Sequence, residues 1–299
     1  MPYLPQTGGN MLIIFVILGA LGGAAGLVVL LSYAIAWYES ASAQPELVPG
    51  RFAPERLWLA VRLLLQEAFF LIVTLLLHPF GWVAPRPAPF DPGGGPPVIL
   101  LHGLFHNRAC WLWVKFRLRR KGLRNLYTIN LPPWKDIESL TERLTLKIDE
   151  LRLAGAGDRV HLVGHSMGGI IARNYLQLRG GGERIDRCVL LAAPNHGSKL
   201  APFAVSRLGE ALVPGSAFLN RLNAAPLPRP ERVTAICSCH DNIVLPWQSA
   251  RLGGVRNIEL SGMGHVGILY CPSALDALIE GLCASPSAPA PTGAEHALP

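Results

Sequence analysis

The run Val160-His161-Leu162-Val163-Gly164-His165-Ser166-Met167-Gly168-Gly169 constrains the fold of this chain more tightly than any other stretch. Apolar residues lead into a G-x-S-x-G turn. The next seven, Ile170-Ile171-Ala172-Arg173-Asn174-Tyr175-Leu176, carry apolar side chains at helical rather than alternating spacing. The local reading is strand, sharp turn, helix. In such a turn the serine takes a strained backbone conformation that lifts its hydroxyl clear of the sheet. Gly164 and Gly168 flank it because a strand and helix this close leave no room for a Cβ.

The rest of the second half alternates in the same way. Val98-Ile99-Leu100-Leu101 reads as a strand buried on both faces, followed by the loop His102 to Asn107 and a Trp- and Arg-rich helix from about Cys110 to Lys121. Leu126 to Leu131 is the second strand, and Ile137 to Leu153 is an amphipathic helix with Leu140, Leu144, Ile148 and Leu151 on one face. After the serine turn come strands at Cys188–Ala192, Val233–Cys237 and Val255–Leu260, then a closing helix from Ser273 to Cys283. Strands alternating with helices predict an α/β fold: a mostly parallel sheet of about six strands with right-handed crossovers, covered on both faces. Ligands of such a sheet bind at the carboxyl ends of its strands.

The chain before Val98 is different in kind. Half of the 299 residues are hydrophobic and only 16% are charged, and the apolar excess lies at the front. Met11 to Tyr38 contains no charged side chain, longer than the roughly 20 residues that cross a bilayer. Ala41-Ser42-Ala43 resembles a signal-peptide cleavage site, but the apolar run is about twice the usual length and no Lys or Arg precedes it, so a retained anchor is expected. A second apolar segment, Leu57 to Trp82, is interrupted by Arg62, Gln66 and Glu67. Two spans forming a helical hairpin are expected. The alternative is a second helix lying in the interface with Phe69, Phe70 and Trp82 inserted. The expected organisation is an N-terminal membrane segment over 1–83, a Pro/Gly linker over 84–96, a catalytic domain over 97–283 and a disordered Ala/Pro-rich tail over 284–299. Arg51 and Arg56 between the spans outnumber Arg86 after them. By the positive-inside bias this puts the domain on the outer side, periplasmic if the membrane is a bacterial inner one.

The order HGLFHN after the first strand, GHSMGG at the turn, AAPNHGS after the next strand, then CHDNIVLP and GMGHVGILY, resembles the α/β-hydrolase superfamily. The pattern is most similar to small bacterial lipases and esterases, over roughly Pro97 to Cys283. In that fold the chain order is nucleophile, acid, base. Ser166 is the nucleophile at its elbow. Asp241 follows the strand ending near Cys239, and His265 lies after the last strand and before the closing helix. Both loops sit at the same sheet edge as Ser166, and the resemblance implies acid and base at these two residues. Among rival histidines, His102 suits a brace for the loop after the first strand, His165 is the variable position of the elbow, and His161 lies inside a strand. The tetrahedral intermediate of acyl transfer needs two N–H donors. One belongs to Met167, the residue after the nucleophile. The resemblance implies Leu104 for the second, with Phe105 as the near alternative.

The expected activity is cleavage of carboxylic esters, lipid-like ones included, through an acyl-enzyme, with membrane lipids as further partners. Acyl transfer to an alcohol and a non-catalytic binding role on the same scaffold are the rivals. No metal-ligand spacing stands out, no cofactor is expected, and no motif supports nucleic-acid binding despite a net charge of +7. The insertion from Ala193 to Arg232 is read as an apolar cap over the serine, with a crossover packed on the sheet as the plainer alternative. The basic stretch Lys115 to Lys121 is a solvated helix face or, beside an anchor, a grip on anionic head groups.

Overall fold

The computed structural model describes residues 7–43, 45, 50, 52–83 and 89–283. Most of the 84–96 linker's first half and the whole 284–299 tail lie outside them. Residues 89–283 are built on six strands: β1 (Val98–Leu101), β2 (Leu126–Ile129), β3 (Val160–His165), β4 (Ile185–Leu191), β5 (Val233–Ser238) and β6 (Arg256–Leu260). All pair in parallel in the order β2-β1-β3-β4-β5-β6. The inner strands β1, β3 and β5 are buried at every position, as strands paired on both sides and covered on both faces must be, whereas the edge strand β6 exposes Arg256, Asn257 and Glu259.

The chain leaves β1 for the edge at β2 and then returns past β1 to β3, so strand order reverses between β1 and β3. A crevice opens at the carboxyl ends of such a pair. On one face of the sheet, α4 (Ile137–Leu153) and α5 (Met167–Leu178) bury Leu140, Leu144, Ile148, Ile170 and Ile171. On the other, α3 (Leu112–Arg120) and α8 (Pro272–Cys283) bury Val114, Leu118, Leu275 and Leu278. Each such fully buried aliphatic side chain contributes roughly 1.5–3 kcal/mol.

The insertion after β4 departs from the expected cap. It forms two short helices, α6 (Arg207–Ala211) and α7 (Ala217–Ala224), whose Leu208, Leu212, Leu219 and Leu222 join the core beside α5. The buried Arg173 of α5 ties it down, donating to Asn195 and Asn223 side-chain oxygens at 3.3 and 2.9 Å. Only Phe203 and Val205 of its large apolar side chains are widely exposed. A crossover packed on the sheet describes this segment.

The N-terminal segment forms an antiparallel helical hairpin, α1 (Thr7–Ala43) and α2 (Pro54–Leu77), with a 3-10 turn at His78–Gly81. Both helices are long and apolar enough to cross a membrane. They are not separate from the sheet domain, however. Along α2, Gln66 Nε2 donates to Cys271 Sγ at 3.0 Å, Phe70 stacks on Tyr270 at 4.6 Å and Thr74 Oγ1 lies 2.7 Å from the Tyr270 hydroxyl. At its end, Asn107 donates to the His78 carbonyl at 2.7 Å, and Arg108 and Asn130 donate to that of Gly81 at 2.7 and 3.0 Å. Arg62 also turns towards the domain: a Cβ added at Gly262 would meet its guanidinium at 2.7 Å.

Candidate active site

Ser166 is the junction of β3 and α5, and its backbone is strained as the sequence predicts, with φ 54° and ψ −126°. The glycines around it answer to contact distances. A Cβ on Gly164 would lie 2.5 Å from the Gly168 carbonyl oxygen, one on Gly168 would lie 2.2 Å from that of Leu101, and one on Gly169 would lie 2.5 Å from Ala193 Cβ. The elbow exists because three successive approaches exclude side chains.

Asp241 and His265 project from the loops after β5 and β6 and meet. His265 Nδ1 donates to Asp241 Oδ2 at 2.8 Å, with Oδ1 at 3.1 Å. Asp241 Oδ1 also accepts the N–H groups of Ile243 and Val244, both at 2.8 Å, so its loop is set from within. Burial pushes the His265 imidazole towards the neutral form, but the charge and hydrogen bond of Asp241, with the charge of Glu67, outweigh it and hold its pKa above the ordinary value. His265 reaches the elbow through His165: the rings lie 4.8 Å apart, and His165 Nε2 donates to the His265 carbonyl at 3.0 Å. Among the described residues no hydrogen bond joins the Ser166 hydroxyl to the imidazole; such pairs commonly tighten only in the transition-state complex.

The loop after β1 faces the elbow, since a Cβ on Gly103 would stand 3.0 Å from Ser166 Cβ. His102 braces it. Its Nε2 accepts the Leu131 N–H at 2.9 Å, which fixes the proton on Nδ1, and Nδ1 donates to the Gly103 carbonyl at 2.8 Å. Burial lowers its pKa to about 4, so it stays neutral. Phe105 has φ 60°, a strained turn, and among the described residues the N–H groups of Met167, Leu104 and Phe105 have no backbone acceptor. They are the donors available to an oxyanion, and both candidates for the second remain.

Beyond this loop lies a cleft of about 240 Å³ walled by Trp82, Phe105, His106, Leu131 and Trp134. Ser166 and His265 are not among its lining residues. His106 separates it from the elbow, its ring stacked 5.8 Å from that of His165. His78 and Trp82 bring the end of the hairpin into the wall.

This geometry has relatives. The model of the alpha/beta hydrolase family matches residues 98–250, half of the chain. The chain belongs to the alpha/beta hydrolase family. Over 145 residues the chain is 30% identical to a triacylglycerol lipase of Pseudomonas fragi, covering 44% of this chain and 48% of that one. It is 34% identical over 80 residues to methylesterase 9 of Arabidopsis thaliana, covering 25% of this chain and 31% of that one. It thus spans about half the length, or less, of these curated relatives. In structure it resembles a mature lipase of Bacillus licheniformis, with a TM-score of 0.53 and 20% identity over 66% of this chain and 94% of that one. Lipase B of Aspergillus fumigatus gives a TM-score of 0.57 and 20% identity over 65% and 54%. These two likenesses establish the fold.

Three contributors to the candidate site were not legible as such. His165, Asn242 and Glu67 all hold the backbone around His265. Asn242 Oδ1 accepts its N–H at 3.0 Å, and Glu67 accepts from the two residues after it. Glu67 and Gln66 stood out only as polar breaks in the apolar segment Leu57 to Trp82. Both reach the sheet domain. Among the described residues no cluster of His, Cys, Asp or Glu has the make-up of a metal site.

Proposed function

We propose that this hydrolase cleaves carboxylic esters at a membrane surface, with Ser166 as nucleophile, His265 as general base and Asp241 as the carboxylate that orients it. The Asp241–His265 hydrogen bond at the mouth of a strained Ser166 elbow carries the reading. His265 takes the Ser166 proton as the hydroxyl oxygen attacks the ester carbonyl. The oxyanion forms against the N–H groups of Met167 and of Leu104 or Phe105. His265 then gives its proton to the departing alcohol, leaving an acyl group on Ser166, and a water activated by the same imidazole releases the acid. The relatives' names, a triacylglycerol lipase and a methylesterase, agree on the ester bond. An apolar cleft beside the oxyanion loop suits an aliphatic or aromatic portion of the substrate.

The membrane part of the reading rests on the polarity of α2. Its polar residues Glu67 and Thr74 are buried against the hydrolase domain, while Trp58, Leu65, Phe69 and Leu76 are exposed. A helix on a water-soluble protein presents the opposite pattern. Lipid is the surroundings that make an outward apolar face favourable. Because the domain covers one side of α2 from Gln66 to the turn at Gly81, lipid cannot ring that helix. A hairpin held on the domain and half sunk in the membrane fits better than a second free span. The test is labelling with a fluorophosphonate probe followed by peptide mapping: modification at Ser166, lost in Ser166→Ala, supports the reading, and absence of labelling in folded wild-type protein refutes it.

A further inference from the structure

The hairpin meets the acid and base loops through contacts that docking alone does not call for. Glu67 is 1% exposed and sits in the middle of α2. Its Oε1 accepts the Val266 N–H at 2.6 Å and its Oε2 the Gly267 N–H at 2.9 Å. On the other side of His265, Gly264 has no space for a side chain, since a Cβ would lie 2.5 Å from Glu67 Oε2 and 2.6 Å from the Tyr33 hydroxyl. From α1, Ser32 Oγ accepts a hydrogen bond from Asn242 Nδ2 at 2.7 Å and donates its own to the Val29 carbonyl at 2.9 Å. The same Asn242 holds the His265 N–H.

Burying a carboxylate is costly, and a leucine would dock a helix without that cost. What the carboxylate does, and a leucine cannot, is take two backbone donors at once. A glutamine would set its own NH₂ against one of them. The pattern therefore selects a carboxylate for the loop, not for the helix.

We infer that Glu67 is a positioning residue for the catalytic base: it fixes the loop carrying His265 from the hairpin, so the apolar hairpin is a working part of the active site rather than a tether. This rests on the assignment of His265 as base. The charged and titratable groups around His265 are Asp241 on its own edge, His165 and His106 from the elbow and oxyanion loop, and Glu67 and Tyr33 from the hairpin. Glu67 adds to Asp241 in favouring the imidazolium. Without its charge the base form persists to lower pH.

The experiment compares full-length wild type with Glu67→Gln, Glu67→Asp and, as a docking control on the same helix, Thr74→Val, all in detergent micelles. Turnover of p-nitrophenyl butyrate is read as kcat and KM against pH, and amide hydrogen exchange is read at Val266 and Gly267. Glu67→Gln is expected to lower kcat by about 10- to 100-fold with KM within about threefold, since small misplacement of a catalytic group costs up to about 10². Its acidic limb should move to lower pH, and exchange at Val266 and Gly267 should speed up. Glu67→Asp should recover part of kcat, and it carries the comparison if the Gln variant fails to fold. Thr74→Val should stay within about twofold of wild type. Wild-type kcat and pH profile in Glu67→Gln, unchanged exchange at the two amides, or an equal loss in Thr74→Val would each overturn the inference. If wild type neither turns over ester nor labels with a fluorophosphonate, the ester-hydrolase reading fails, and the exchange rates alone still decide whether Glu67 fixes the loop.

Discussion

On the proposed assignment of Ser166, His265 and Asp241, protonation of the base decides activity. The Asp241 carboxylate holds the His265 pKa above the ordinary imidazole value, and a general base works only when deprotonated. The rate kcat/KM should therefore rise with pH through that raised pKa, with its acidic limb above the position of a free imidazole. Asp241→Asn should move the limb down and cut kcat on the order of 10³-fold or more. A limb left in place would separate Asp241 from the base. The same shift means the folded chain binds this proton more tightly than the unfolded one. Its contribution to stability is present in full below the unfolded pKa and fades as pH rises through the folded one. Ser166→Ala removes one oxygen and leaves no large cavity, so it should abolish ester hydrolysis with little change in thermal midpoint. Combining His265→Ala with Ser166→Ala should cost little more than either alone, because the proposed mechanism uses the three residues as a unit. Additive losses in the steady-state rates would contradict that.

Among the elements, the β3–α5 elbow leaves the least room for change. Gly168→Ala drives a Cβ into the Leu101 carbonyl of the neighbouring strand at 2.2 Å, where backbone, not a side chain, must give way. The expected cost is about 3 kcal/mol or more in urea unfolding, or failure to fold; a stable, active variant would mean the strand and helix are not held this closely. The elbow was readable in the sequence because its requirements are local: an apolar run, two flanking glycines, a helical period. β1 and β5 were readable for a related reason, since a central parallel strand is apolar on both faces. The insertion was not. Leu208, Leu212, Leu219 and Leu222 have the same composition whether they cap a serine or pack beside α5, and the Arg173–Asn195–Asn223 network that decides it joins residues up to 50 positions apart. Glu67 was visible as a break in an apolar helix, but its partners at Val266 and Gly267 lie about 200 residues away, beyond any periodicity. His165 and Asn242 were hidden by their neighbours: one follows Gly164 beside Ser166, the other follows Asp241, and each touches the backbone of His265.

At the scale of the whole molecule, the hairpin buries Ser32, Glu67 and Thr74 and leaves Trp58, Leu65, Phe69 and Leu76 of α2 exposed. Replacing the exposed Trp58 and Phe69 of α2 with serine should reduce partitioning onto phospholipid vesicles by about tenfold or more, because each such side chain is worth roughly 1.5–3 kcal/mol when buried. Turnover of a water-soluble short ester should stay within about twofold. Unchanged vesicle binding would move the lipid contact elsewhere. All of this depends on Ser166 carrying the acyl group. The most direct measurement is intact mass and peptide mapping of full-length protein quenched early in turnover of a slowly deacylating p-nitrophenyl ester. The expected result is one acyl group per chain, on the peptide containing Ser166 and absent in Ser166→Ala. An unmodified Ser166 peptide during turnover, or the acyl group on another residue, would contradict it.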